Sequence, residues 1–334
     1  MTQKYLIPLI AVFLLFLVAY TGAGAGLGWF FGIVVPYLAV LAFLVGFVVK
    51  VMGWAASAVP FRIPTTCGQQ KSLPWIKQNR IDNPDTSSNV FLRMLLEIFI
   101  FRSLFRNTKA AFNRNAANRI TYSWEIFLWV AALAFHYAFL VVLLRHFRFF
   151  TAPVPGAVQF LEALDGIVQL GLPGLFLSGV VLPAAVLFLL ARRLFDAKVR
   201  YISQGSDYFP LFLILGIAAT GISMRYFTKV DVTGIKEMTM GLVTFSPVIP
   251  DGIGGLFYGH LFLVSILFAY FPASKLMHLG GVFLSPTRNM ANNNRAQRHE
   301  NPWNYDVPIH TYEDYEDHFR DKMIEAGLPV EKKE

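Results

Sequence analysis

Six long apolar runs decide what this chain can become. They lie at 5–21, 29–53, 124–147, 166–191, 208–227 and 254–274. An α-helix needs about 20 apolar residues to cross the hydrocarbon core of a bilayer. Inside that core no water bonds the backbone, so each run is expected as a helix that satisfies its own N–H and C=O groups. Composition agrees: the 334 residues are 55% hydrophobic and 15% charged, with 32 Phe, too apolar for a typical soluble domain. The expected fold class is an all-α integral membrane protein with six transmembrane helices. Pro173 and Pro183 predict a kink in the fourth. The first follows Lys4 and precedes "GAGAG", a pattern shared with cleaved signal peptides. Its apolar run exceeds a usual signal core, and Gly/Ala suits a tight external turn, so the helix is expected to be retained.

Basic residues set the orientation. Segment 54–123 carries ten Lys or Arg, the 192–207 loop four and the tail after 274 eight. With Lys4 and Lys50 that places 24 on one side, against Arg145, Arg148, Arg225, Lys229 and Lys236 on the other. The positive-inside rule puts both termini in the cytoplasm, in the cytoplasmic (inner) membrane. The net charge of +8 thus reads as cytoplasmic loops rather than a nucleic-acid surface. The third and sixth spans run antiparallel. A single cysteine, Cys67, excludes an internal disulfide and any iron–sulfur cluster held by this chain alone, and is read as structural.

Four of the seven histidines belong to those two spans: His136 and His146 on the third, His260 and His278 on the sixth. Imidazole is costly in hydrocarbon unless something binds it. Antiparallel helices pair His136 with His278 near the cytoplasmic side and His146 with His260 near the outer side. Two facing imidazoles supply the two axial ligands that a porphyrin iron leaves open, so two pairs imply two stacked haems b. The spacings of ten and eighteen correspond to rises of about 15 and 27 Å, a mismatch that tilt or a kink at Pro272 must absorb. A lone interfacial histidine is usually just hydrogen-bonded, but four that pair by depth favour ligation. Zn or Cu sites are the weaker rival, since carboxylate or thiolate co-ligands are missing. Gly254, Gly255, Gly259, Ala131, Ala132, Ala134 and Ala138 either leave room for a flat macrocycle or serve small-residue helix packing. Arg145, Arg148 and Arg225 either pair haem propionates or snorkel to headgroups. Tyrosines aside, His136 is the one ionisable residue deep in a span, which argues against a proton-coupled transporter. There is no P-loop, dinucleotide fingerprint or catalytic triad. No catalytic residue is assigned, because iron with both axial positions filled passes electrons and does little else.

The H-x9-H and H-x17-H spacings on antiparallel helices resemble the gamma subunit of respiratory nitrate reductases, a dihaem cytochrome b family of five helices. Here the dihaem part would cover about 29–278, behind an extra first helix. "RHFRFF", "LDGIVQLGLP", "RRLFDAKVRYIS", "DYFPLFLILGIAATGISMRYF", "FPASKLMHLGGVFLSPTRNMANNNRA" and "NPWN" resemble one branch more closely. That branch is the DsrM family, the membrane cytochrome b of the complex tied to dissimilatory sulfite reduction. "CGQQKSLPWIKQNRIDNP" and "FRSLFRNTKA" resemble it too. The resemblance implies menaquinol as electron donor and a cytoplasmic iron–sulfur subunit like heterodisulfide reductase as acceptor. It also implies a periplasmic multihaem cytochrome c, an iron–sulfur protein, a second quinone-interacting membrane subunit and a small sulfur-carrier protein as partners. The family's quinol site lies beside the outer haem. Its nitrate-reductase members carry a lysine at the start of the next helix, where this chain reads "LEALDGIVQ". Glu162 or Asp165 would then take the quinol proton, unless both simply solvate a loop.

Four regions result: two N-terminal helices in 1–53, a cytoplasmic or interfacial helical loop in 54–123, the dihaem-binding part in 124–278 and a cytoplasmic docking tail in 279–334. In the loop, Ser87 or Ser88 is expected to cap a helix from Val90 to Phe105. Its polar stripe of Arg93, Glu97, Arg102 and Arg106 suits the membrane interface, a partner groove or burial within this chain. In the tail, Thr311 and Asp314 predict a capped start, and Gly327 with Pro329 a stop. Tyr312, Tyr315, Phe319 and Met323 would form one apolar stripe on an acidic helix that seeks a partner. His299, His310 and His318 are assigned no haem. Two rivals stay open: a cofactor-free anchor or transporter, and a dihaem anchor serving nitrate or methanophenazine-linked heterodisulfide reduction.

Overall fold

The computed structural model describes residues 3–57, 68–112, 120–166, 174–284, 289–297 and 309–331, without the side chains of 109–123. Cys67, Pro173 and His299 lie outside these residues. Six helical segments are long and apolar enough to cross a membrane: Gln3–Leu27, Phe30–Ala55, Ile126–Phe149, Leu177–Phe195, Gly205–Thr228 and Gly255–Ala273. The first two contain α1 (Gln3–Gly22) and α2 (Val35–Ala55). Between them, in "GAGAG", Gly26 takes φ 88°, a left-handed conformation that glycine adopts at no steric cost and that breaks the helix.

The loop between the second and third spans is only partly helical. It builds α3 (Ser87–Ile100) and the single turn α4 (Arg102–Phe105), then an antiparallel hairpin of β1 (Thr108–Phe112) and β2 (Ile120–Trp124). The cap of α3 is Thr86 rather than Ser87 or Ser88: its hydroxyl accepts the Asn89 N–H at 3.4 Å. The amphipathic stripe is turned inward. Arg93 is buried, Glu97 accepts the Ser103 N–H, and Arg102 and Arg106 both pair with Asp82. Phe91, Leu92, Phe99 and Ile100 point outward. Asn292 locks the tail to this loop. Its N–H donates to the Pro84 carbonyl at 2.6 Å and its side chain to Asn83 at 2.8 Å. Burial would raise the Asp85 carboxyl, but hydrogen bonds from Gln78 and Lys71 hold it down to about 2.

The membrane part continues with α5 (Ile126–His146), the short helix α6 (Gly156–Asp165), α7 (Leu177–Phe195), α8 (Ala197–Ile202) and α9 (Gly205–Ile222). The fourth span therefore starts at Leu177 and not at 166. Gly166 ends α6, and Phe176 is extended. A second short helix, α10 (Val232–Val243), lies between the fifth and sixth spans, tied down where the Thr239 hydroxyl donates to the Phe149 carbonyl at 2.6 Å. Next come α11 (Gly255–Tyr270), α12 (His278–Leu284) and, in the tail, α13 (Tyr312–Glu325). In α13 the capping box of Thr311 and Asp314 is present and Gly327 takes φ 70°. Met323 leaves the expected stripe: it is buried, while Tyr312, Tyr315 and Phe319 stay exposed.

Helix α5 packs on α7, α7 on α9, α9 on α1 and α11, and α11 on α1 and α2. Their shared core includes Val12, Leu182, Val186, Tyr208, Leu213 and Leu263. Large apolar side chains along α1 and α2, such as Ile7, Phe13, Leu41 and Val49, face outward, as lipid-facing residues must. Polar contacts gather the start of α1, the start of α5, the end of α7, the start of α9 and the end of α11 at one side. They are Lys4 on the Ser203 carbonyl, Arg192–Glu125 at 3.1 Å and Lys275–Asp207 at 2.7 Å. Helices α5 and α11 are therefore antiparallel.

Candidate cofactor-binding site

Helices α5 and α11 share no extended packing contact, yet a histidine of α5 meets one that lies beyond the end of α11. The rings of His136 and His278 stand 5.9 Å apart between centroids. Two metal–imidazole bonds of about 2 Å in line place such centroids roughly 6 Å apart. At the opposite end of the spans His146 closes α5 and His260 lies in the second turn of α11, on the same side because the helices are antiparallel.

The pairing works because the last helix does not continue. After Tyr270, Phe271–Ala273 forms a 3-10 turn with Pro272 buried, Ser274 is extended, and a second 3-10 turn covers Lys275–Met277. His278 opens α12. The kink expected at Pro272 is thus a full break, which puts His260 and His278 on separate helices. The break replaces the five regular turns that made the rises disagree.

Each imidazole is held by one nitrogen. The Nδ1 of His136 lies 2.7 Å from the Ala132 carbonyl, that of His146 2.6 Å from Val142, and that of His278 2.8 Å from Lys275. His260 Nδ1 meets the Thr220 hydroxyl at 2.8 Å. Since carbonyls accept only, Nδ1 carries the proton there and Nε2 keeps its lone pair. That is the tautomer a metal-bound histidine needs, fixed by the bond its other nitrogen makes. Among the described residues no three His, Cys, Asp or Glu side chains converge on one point. A free zinc ion takes three or four protein ligands and a porphyrin iron takes two, so the donor set fits haem.

Some neighbours follow one of the readings left open for them, and others follow neither. A Cβ on Gly255 would meet the Tyr20 carbonyl oxygen at 2.8 Å, and one on Gly259 the Phe16 ring at 2.5 Å. Those glycines admit α1, not a macrocycle. Gly254 borders open space. Ala131, Ala132 and Ala138 are buried in helix packing, and Ala134 is half-buried. Arg145 and Arg148 are already neutralised. Arg145 pairs with Asp165 at 2.6 Å, and Arg148 with Glu162. Asp165 also accepts the Ser178 N–H at 2.7 Å and the Ser178 hydroxyl at 2.5 Å. Neither acid merely solvates a loop. Arg145 and Arg225 stack on the Phe176 ring, 3.2 and 4.0 Å from its centroid, and Arg225 donates to the Gly174 carbonyl at 3.2 Å. Beside them a cleft of about 450 Å³ is lined by Glu162, Gly166, Phe176 and Arg225. Thr220, Phe176 and Ser178 escaped the sequence reading. The hint for Thr220 was the one hydroxyl in the apolar stretch 211–222.

Residues 90–298 match the family model described as nitrate reductase gamma subunit. The chain is similar to the Hdr-like menaquinol oxidoreductase cytochrome b-like subunit of Archaeoglobus fulgidus, 46% identical over 85% of this chain and 86% of that protein. The corresponding subunit of Archaeoglobus profundus is 42% identical over 82% and 83%. The respiratory nitrate reductase 1 gamma chain of Escherichia coli is 33% identical over 31% of this chain and half of its own length. Six apolar spans, antiparallel histidine-bearing helices and a family match over most of the membrane part lead to one conclusion: the chain belongs to the nitrate reductase gamma subunit family.

Proposed function

We propose that this chain is the dihaem cytochrome b subunit of a menaquinol-oxidising membrane complex. The carrying observation is the His136–His278 ring pair, together with four histidines that are each bonded through Nδ1 with Nε2 left to a metal. His136 and His278 would hold the inner haem b, His146 and His260 the outer one. Bound there, the haems would supply one-electron carriage across the membrane. The chain's own residues orient the ligands and manage protons. The relatives named Hdr-like menaquinol oxidoreductase subunits support menaquinol as the donor. The cleft beside Phe176, next to the outer end of α5, suits its headgroup. Oxidation to the quinone releases two protons, and Glu162 on the cleft wall is placed to take one if Arg148 yields it.

Electrons would leave at the cytoplasmic side to an iron–sulfur subunit resembling heterodisulfide reductase. The DsrM-like stretches favour a complex of dissimilatory sulfur respiration, with the periplasmic cytochrome c, the second quinone subunit and the sulfur carrier as further partners. Protons released outside while electrons move inward would add to the membrane potential.

The test is a reduced-minus-oxidised spectrum with haem and iron counted per polypeptide. Two extractable b haems are expected, one lost in His136→Ala and the other in His146→Ala. A folded, iron-free wild type would end this reading. Copurification with a molybdenum subunit instead of an iron–sulfur disulfide reductase would end the sulfur assignment alone.

A further inference from the structure

We infer that Phe101, on the cytoplasmic loop, is a positioning residue that fixes the plane of the His136 imidazole. The inference rests on the dihaem reading, since it concerns how one ligand of the inner pair is held. Phe101 links α3 to α4 with φ 51° and ψ 49°. A side chain in this left-handed region crowds a carbonyl oxygen, so glycine or asparagine is the usual residue at such a helix end. A phenylalanine there persists only where its surroundings over-determine the backbone.

They do so here through α5. The Trp129 indole donates to the Ile100 carbonyl at 2.7 Å, and the Tyr137 hydroxyl to the Phe99 carbonyl at 2.8 Å. The Phe101 N–H closes back on the Leu96 carbonyl. These bonds satisfy carbonyls that the end of α3 would otherwise leave open. They also aim the Phe101 ring, which meets His136 edge to face, 4.9 Å between centroids at 89°. Phe135 meets the same imidazole at 4.9 Å and 81°. One hydrogen bond at Nδ1 leaves an imidazole free to swing about that bond, and perpendicular rings against it remove this freedom. Phe135 sits on the ligand's own helix, so the loop's contribution is Phe101. Ligand orientation and its surroundings tune a haem's potential.

The test compares the purified full-length haem protein with Phe101→Leu, Phe101→Tyr and Tyr137→Phe, by redox titration and low-temperature EPR. The inner haem is identified as the signal lost in His136→Ala. Phe101→Leu keeps the backbone demand but deletes the ring edge. It is expected to broaden the inner haem's EPR signal and shift its reduction equilibrium by up to about tenfold, which for one electron is about 59 mV. Tyr137→Phe releases one clamp without touching the ring, and should shift the same signal less. Phe101→Tyr should restore wild-type values, and the outer haem should not move in any variant. If Phe101→Leu does not fold, Tyr137→Phe and Phe101→Tyr decide the matter. An inner signal unchanged in both Phe101→Leu and Tyr137→Phe would overturn the inference alone. A wild type without haem would overturn the function and the inference together.

Discussion

At the scale of residues, the four histidines are alike in one respect and unlike in another. All hold Nδ1 to an oxygen, but three use a backbone carbonyl three or four residues earlier, whereas His260 reaches across to Thr220 on α9. The Thr220 hydroxyl has one proton, which goes to the carbonyl of Gly216 at 2.8 Å or Ile217 at 3.0 Å. Its oxygen is then the acceptor for the His260 Nδ1–H. Thr220→Val keeps the shape and removes that acceptor, leaving a buried donor unsatisfied at a cost of about 1–3 kcal/mol. Loss of such an outer partner typically weakens metal binding about 10–100-fold. On the proposed dihaem function, the outer haem should therefore dissociate first in a haem-transfer assay on Thr220→Val, with the inner haem retained at wild-type affinity. Equal retention of both would show that the hydroxyl does not matter to His260.

At the scale of elements, the first helix is part of the bundle's centre. Residues Val12 and Ala19 of α1 are buried, and α1 covers the glycine face of α11. That approach depends on missing side chains. Gly255→Ala would place a Cβ 2.8 Å from the Tyr20 backbone oxygen, and backbone cannot rotate away. Overpacking of this kind costs about 1–3 kcal/mol. Gly254→Ala, one residue earlier and facing open space, is the control. Thermal unfolding in detergent should show a lowered midpoint for Gly255→Ala and little change for Gly254→Ala. Equal midpoints would mean that α1 is not held by this contact. The other decisive element is the irregular stretch Phe271–Met277, which lets α11 carry His260 and α12 carry His278.

At the scale of the molecule, the gathering of helix ends by Arg192–Glu125, Lys275–Asp207 and Lys4–Ser203 makes one polar side, the one that carries most basic residues. The positive-inside rule predicts that this side is cytoplasmic. In a Cys67→Ser background, a cysteine at exposed Asp251 should react with an impermeant thiol reagent in intact cells. One at exposed Lys198 should react only after permeabilisation. The opposite pattern would invert the chain, and with it the assignment of inner and outer centres.

Much of this was legible in one dimension. The six spans follow from hydrocarbon length and backbone satisfaction, which act on each run separately. Their expected directions come from counting Lys and Arg, and the expected depth pairing of His136 with His278 and His146 with His260 comes from direction alone; the first pair meets as a ring contact. The capping box at Thr311 and Asp314 is a local pattern and was legible too. What one dimension could not carry was the choice of neighbours. Gly255 and Gly259 look the same whether a macrocycle or Phe16 and Tyr20 fill the space beside them. Arg145 and Asp165 are 20 residues apart, and only packing makes them partners. The break at Pro272 was foreseen as a kink, but its form depended on how α12 settles against α2 and α3. Phe101 carries no motif, because a strained phenylalanine at a helix end acquires meaning only from the histidine it touches. Hydrophobicity and charge act on each segment alone; shape complementarity between distant residues exists only once the chain is folded.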